Sequence, residues 1–296
     1  MTGMLREADG SAEGGSAGSG NTAAEPRVDV ARRFPATVGC FDAPADRATI
    51  DGLVRWVEDR YREELLQRPS KHVYIGTLPG AAIEQIDHLR DSPVIRALIA
   101  ARVAAQFPGG SVIAPMKHTD ELYVSHYNKD RGGDQGLFDR HYDGNLRFLS
   151  GSVVVRALIY LQSDATYKVV FHDSRVEKAF ATYDFGLLDF HRELHWVEGQ
   201  YNPADRQRIL LKCNYLVTRR GAALLGRAAL AANTGVFYVV KAAMEYSKSP
   251  KTPPQVAVGV LCNFFRRLNN VHPLIPLVLI AAIVAALGWA IGRLLV

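Results

Sequence analysis

The chain has 296 residues, 48% of them hydrophobic and 22% charged, which leaves room for one sizeable core and argues against a wholly disordered or multi-spanning membrane protein. Its 35 basic residues are nearly balanced by 30 acidic ones, and a net charge of +5 is small for a protein held to nucleic acid by phosphate neutralisation, so no nucleic-acid partner is expected. Three scattered cysteines, Cys40, Cys213 and Cys262, speak against a disulfide framework or a thiolate zinc site and suit a reducing compartment.

Residues 1–26 read as a disordered tail. Positions 10–20 hold only Gly, Ser, Ala and one Glu, too little apolar surface to offset the entropy of ordering. No basic start runs into an apolar stretch, so no secretory signal is expected.

Residues 27–110 read as helical support. Ile50, Leu53, Val54, Val57, Tyr61 and Leu65 recur at helical spacing over 47–66. Further helices are expected over 81–89 and 93–107, the last closed by Pro108-Gly109-Gly110.

From Ser111 the period shortens. β-branched and aromatic runs over 122–127, 153–161, 168–171 and 208–217 have strand length and are separated by Gly, Asp, Asn and Ser. Short strands in series with no helices between them indicate an α+β chain with a sandwich or jelly-roll core over 111–220.

Residues 221–270 read as a helical connector. The Ala/Leu-rich part to Met244 also invites reading as a membrane span, against which stand Arg227, Asn233 and Lys241. Pro250, Pro253 and Pro254 break it, and 255–268 forms a last amphipathic piece.

The end is different in kind. Residues 274–292 read LIPLVLIAAIVAALGWAIG, 19 positions without a charge. A helix over 274–296 would be about 34 Å long, enough to cross the hydrocarbon core. We expect 271–296 to be a single-pass transmembrane tail anchor. Arg266 and Arg267 before the segment, against Arg293 after it, keep the large N-terminal part in the cytosol.

The chemistry candidates lie in the strand-rich part. Residues two apart in an extended chain point to one side, so His141 and Asp143 of Asp139-Arg-His-Tyr-Asp-Gly144 could grip one ion. A second histidine follows in Asp189-Phe-His-Arg-Glu-Leu-His195-Trp. Two imidazoles and a carboxylate form the facial triad that holds Fe(II) and leaves positions open for substrates. His195, at the opening of a fresh strand after the strand ending in Asp189-Phe190, is favoured over His191. His191 and His195 together, four apart on a helix, would instead suggest a zinc hydrolase, but Arg192 stands where that motif needs Glu.

Arg208 opens the strand that follows. Alternation places it on one face with Leu210, Lys212 and Asn214, where its guanidinium could pair with the carboxylate of a small acid. Arg206, of the same parity, is its rival. Tyr123, Ser125 and Tyr127 share a side of the strand near 122–127.

These residues resemble the 2-oxoglutarate/Fe(II)-dependent dioxygenases, and among them the prolyl 4-hydroxylase-like branch. The resemblance spans 121–217 and is carried by Val124-Ser125-His126-Tyr127, His141-x-Asp143, Asp184-Phe185-Gly186-Leu187-Leu188, His195 and Arg208. There are departures. The family sets its basic residue about ten positions after the distal histidine, and here Arg206 is eleven and Arg208 thirteen positions after it. Gly199-Gln-Tyr-Asn-Pro203 replaces the family's Pro-Val-x-x-Gly turn, and the Gly132–Gly136 insert is long.

The resemblance implies a double-stranded β-helix (jelly-roll) with N-terminal helices. It implies Fe(II) on His141, Asp143 and His195, and 2-oxoglutarate anchored at its far carboxylate by Arg208 with help from the Tyr127 hydroxyl. O2 is then a co-substrate and ascorbate an additional cofactor candidate. Substrate would lie near Asn145 and Arg147 on one side and Glu193 and Trp196 on the other. Its C–H bond would be hydroxylated with release of succinate and CO2, a prolyl residue being the family-level substrate and other protein or small-molecule substrates staying open. The competing reading is a membrane scaffold that keeps the fold without the chemistry.

Overall fold

The computed structural model describes residues 34–67, 70–125, 140–144, 152–199, 208–247 and 251–271. A short strand β1 (Thr37–Cys40) leads into α1 (Pro44–Gln67), which opens on a proline with Asp46 in its first turn. Helix α1 buries Ile50, Leu53, Val57 and Tyr61, the spacing that defined it in the sequence. After β2 (Ser70–Tyr74) come α2 (Gly80–Arg90) and α3 (Pro93–Val103). Helix α3 stops short of the expected residue 107. The amides of Gln106 and Phe107 both bond to the Val103 carbonyl, and Gly110 at φ +88° completes the turn.

The strand region comprises β3 (Ser111–Pro115), β4 (Glu121–Ser125), β5 (Ser152–Gln162), β6 (Asp164–Phe171), β7 (Val176–Ala181), β8 (Asp184–Asp189), β9 (His195–Gly199) and β10 (Arg208–Arg219). Two helices follow, α4 (Ala223–Ser247) and α5 (Pro253–Val271). The larger sheet has the order β1-β8-β5-β10-β4-β2, with β3 paired to the far half of β10. The smaller has the order β7-β6-β9. Every pairing is antiparallel.

Side-chain parity divides the larger sheet into two working faces. Val153, Val155, Ala157 and Ile159 of β5 and Ile209, Leu211, Cys213 and Tyr215 of β10 pack against α1, α2 and α3 in the main core. On the opposite face Leu158, Tyr160, Leu210, Tyr123 and Leu188 meet Val169, Phe171, Phe180 and Val197 of the smaller sheet. Two antiparallel sheets sharing a core, with helices behind the larger one, are consistent with the expected jelly-roll. The segment read as helical support also contributes β1 and β2 to the larger sheet.

A buried ion network ties helix to sheet. Arg90 donates to Asp120 at 2.6 Å and also pairs with Asp87, while Asp120 accepts the Asn214 amide at 3.1 Å. The Tyr215 hydroxyl donates to the Arg90 carbonyl at 2.7 Å. Among the described residues no helix is long and apolar enough to cross a membrane, and the expected anchor lies outside them except at Val271. Helix α4, where a second span was weighed, packs instead against the sheet: Leu230 joins Met116, Val154 and Leu216, and a Cβ on Gly226 would come within 2.9 Å of Thr218.

Candidate metal centre

The two candidate histidines meet across backbone. His141 and His195 form an isolated antiparallel bridge, each amide donating to the other's carbonyl at 3.0 and 3.1 Å. Because β9 already pairs β6 on its other side, this bridge adds His141 to the edge of the smaller sheet. The rings stand 4.4 Å apart, centre to centre. Asp143 follows two residues later. Its Oδ1 lies 3.7 Å from His141 Nε2 and its Oδ2 lies 3.5 Å from His195 Nε2. Ligand atoms of all three lie within 4.8 Å of one another.

His195 and Asp143 are prepared for a cation. His195 Nδ1–H donates to the Glu193 carbonyl at 3.1 Å, which fixes the tautomer and leaves Nε2 with its lone pair toward Asp143. Burial pulls the His195 imidazole down to about 4, against the pull of the Asp143 charge, so the ring is neutral at physiological pH. Burial would raise the Asp143 carboxyl, but the Arg156 guanidinium beside it, the strongest of the opposing influences, holds it well below the usual carboxylate range. Two imidazole nitrogens and one carboxylate oxygen are a donor set for a first-row divalent metal, and Fe(II) with open positions is its characteristic guest.

Arg156, on β5, is the residue that the sequence reading missed. Its Nη1 donates to Asp143 Oδ2 at 2.9 Å and its Nε donates to Asn214 Oδ1 at 3.0 Å. The signal was present: one charge inside the apolar run Val153-Val-Val-Arg-Ala-Leu-Ile-Tyr-Leu161. Asn214 is held in turn by the Thr119 hydroxyl at 2.9 Å, so the carboxylate is braced through two side chains to the loop before β4.

Arg208 points to the same interior face. Its guanidinium lies over the rings of Tyr123 and Tyr167, 5.9 and 5.5 Å from their centres. Its Nε is buried and has no hydrogen-bond partner among the described residues. A buried N–H donor left unused fits an incoming carboxylate. Lys212, a further interior cation, is already engaged, 3.9 Å from Glu121 and 4.8 Å above the Tyr123 ring. Glu121 also pairs with His72. Burial works against its charge, but Lys212 and His72 bring its carboxyl down to about 2.

The remaining candidates fall elsewhere. Glu193 is buried and spends its carboxylate on Ser174, whose amide and hydroxyl donate at 3.1 and 2.6 Å. Trp196 alternates to the other side of β9, under Arg140 and beside His172, and its indole N–H donates to Glu198. His191 sits in the turn between β8 and β9, packed so closely on Gly144 that a Cβ there would lie 1.9 Å from its Nδ1. No helix joins His191 to His195, so the same-face pair of the zinc-hydrolase reading does not form. Tyr127, Asn145, Arg147 and Arg206 lie outside the described residues.

No family model and no curated protein matches the chain. Solved structures do. The non-haem α-ketoglutarate-dependent epimerase SnoN from nogalamycin biosynthesis is 15% identical with a TM-score of 0.42, over 64% of this chain and 82% of that one. A prolyl-4-hydroxylase from Pseudomonas putida is 16% identical with a TM-score of 0.36, over 65% and 96%. A Trichoplax adhaerens prolyl hydroxylase, solved with a hypoxia inducible factor peptide, is 13% identical with a TM-score of 0.41, over 62% and 83%. The solved structures that this chain resembles include 2-oxoglutarate-dependent oxygenases, prolyl hydroxylases among them.

Proposed function

We propose that the chain is a 2-oxoglutarate/Fe(II)-dependent dioxygenase that hydroxylates a C–H bond, with a prolyl residue as the first substrate to test. The observation that supports this most is the convergence of His141, Asp143 and His195, together with Arg208 on the interior face of β10, whose buried Nε has no partner among the described residues. When bound, Fe(II) with 2-oxoglutarate couples oxidation of the keto acid to succinate and CO2 with transfer of an oxygen atom from O2 to the substrate.

The residues of the chain supply position and environment. His141, Asp143 and His195 would hold the metal on one face, leaving the other for ligands. Arg156 holds Asp143 through Oδ2, the oxygen that faces His195, and leaves Oδ1 facing His141. Arg208 would receive the distal carboxylate of 2-oxoglutarate in a wall made by Tyr123 and Tyr167. Tyr127, Asn145, Arg147, Glu193 and Trp196 keep the roles that the resemblance gives them only as proposals, and Glu193 has its carboxylate committed to Ser174. Ascorbate is proposed as the reductant that sustains turnover. The apolar segment over 271–296 would anchor the molecule in a membrane with the barrel on the cytosolic side.

The deciding experiment is an anaerobic titration with Fe(II) and 2-oxoglutarate, followed by the weak visible charge-transfer band of the chelate. The wild type should develop it, and His141→Ala and His195→Ala should not. If both variants behave like wild type, the assignment fails. A scaffold without chemistry would bind both ligands or neither, and release no succinate in air.

A further inference from the structure

The exposed large hydrophobic side chains of the described residues are concentrated in one place. Apart from Val38 and Val112, they all stand on α4 and α5. On α4 they are Leu224, Tyr238, Val239 and Tyr246, which fall within an arc of about 100° on a helix of 3.6 residues per turn. On α5 they are Val256, Val260, Leu261 and Phe264, again on one side. The exposure is considerable, 64% for Val260 and 70% for Val239.

Within the α4 stripe Tyr238 reaches the domain, its ring centre 6.3 Å from that of His118. Helix α4 approaches the sheet through Gly226 on Thr218, Leu230 on Met116, Val154 and Leu216, and Thr234 on His118. The other exposed residues of the stripe, Leu224, Val239 and Tyr246, lie on another side of the helix. Leu224, Val239 and Tyr246 on α4 and Val256, Val260 and Leu261 on α5 are therefore exposed next to a well-packed domain.

Charge identifies what covers it. Residues 221–271 contain six basic residues, Arg227, Lys241, Lys248, Lys251, Arg266 and Arg267, against one acid, Glu245. That surplus of five equals the net charge of the whole chain, +5, so the rest of the sequence balances to zero. The 19 uncharged residues of 274–292 begin three positions past the end of α5. Aliphatic and aromatic bands on a basic helix pair, continuous in sequence with a bilayer-length apolar run, match the composition of segments that lie in an anionic membrane interface.

We propose that the α4–α5 pair is a docking surface for an anionic phospholipid bilayer, with its apolar bands buried at the level of the headgroups. The pair would hold the barrel against the membrane, a function separate from any anchoring by the segment that follows. It is independent of the metal centre.

The test reads contact, because the full chain can reach vesicles by its last residues alone. Nitroxide labels are placed singly through Val260→Cys, Phe264→Cys and Val239→Cys, with Ala101→Cys on α3 as the aqueous reference. The background is full-length protein carrying Cys40→Ser and Cys262→Ser; Cys213 is fully buried and stays. Vesicles are three parts phosphatidylcholine to one part phosphatidylglycerol, or phosphatidylcholine alone. In the mixed vesicles, dissolved oxygen should relax the three stripe labels more than a water-soluble nickel chelate does, the reverse of the order at Ala101. That preference should weaken in phosphatidylcholine alone and with added salt.

Stripe labels that read like Ala101 in both vesicles overturn the proposal. So do labels shielded from both reagents already in detergent, which would show the bands covered by protein, either residues 272–296 or a second copy. Equal lipid contact in both vesicles overturns the anionic specificity.

Discussion

Arg156 Nη1 lies 2.9 Å from Asp143 Oδ2, so the candidate metal carboxylate is held by a guanidinium before any metal arrives. The contact keeps the carboxylate ionised and oriented, yet it places a positive charge beside a site meant for a cation. Orientation should outweigh repulsion, because Arg156 leaves the other oxygen of Asp143 unclaimed. Arg156→Met should therefore weaken Fe(II) binding about 10–100-fold, the usual effect of losing a partner that orients a ligand. It should also destabilise the fold by about 3 kcal/mol, since Asp143 and Asn214 lose their donor. Arg156→Lys, which cannot serve both partners at once, should recover only part of each loss. Metal titration of the apo protein and thermal unfolding measure the two effects separately.

The aromatic setting of Arg208 leads to a second expectation. Arg208→Ala should raise the KM for 2-oxoglutarate by at least ~30-fold, corresponding to ~2 kcal/mol or more for a desolvated charge partner. Metal affinity should stay near that of wild type. Arg208→Lys keeps the charge and should restore part of the affinity. If the KM is unchanged, Arg206 is the residue to test next.

Gly144 permits His191 to pack where it does, since a Cβ would lie 1.9 Å from His191 Nδ1. Gly144→Ala must push that ring away and shift the chain next to Asp143. Metal affinity should fall by about tenfold or more, a scale set by small displacements of ligands. Gly144→Ala combined with His191→Ala should bind metal better than Gly144→Ala alone. His191→Ala by itself should keep the metal, whereas His195→Ala should lose it.

The Glu121 carboxyl is held near 2 in the fold, below the ordinary value of 4.5. A depressed carboxyl adds stability above its unfolded pKa, and that contribution disappears as pH falls from about 4.5 toward 2. Its size is on the order of 3 kcal/mol. Glu121→Gln should lower stability at pH 7 while flattening this part of the acid-unfolding profile. Urea denaturation across pH 2–7 gives both readings.

Much of the architecture is legible in the residues. The apolar spacing of α1 and the parity of β10, with Arg208, Lys212 and Asn214 on one side and Ile209, Leu211 and Cys213 on the other, follow from local periodicity and recur in the fold. The strands β1, β2, β3 and β7 are not legible. Each has six residues or fewer, and partners distant in sequence, such as Leu187 opposite Thr37, rather than their own composition make them strands. The meeting of His141 and His195 could be surmised from motif order. The grip of Arg156 on Asp143 could not, because cross-sheet side-chain pairing leaves no periodic trace. Glu193, adjacent in sequence to the candidate ligands, turned inward to Ser174 because a buried carboxylate requires donors.

The main-chain bridge between His141 and His195 has one more consequence. In small zinc domains the ion gathers its own ligands, and chelation unravels them. Here two of the three claws are riveted by peptide groups, so the pincer should persist when emptied. Ferrous iron could then be lost to oxidation or scarcity and reloaded repeatedly, with no refolding between fillings.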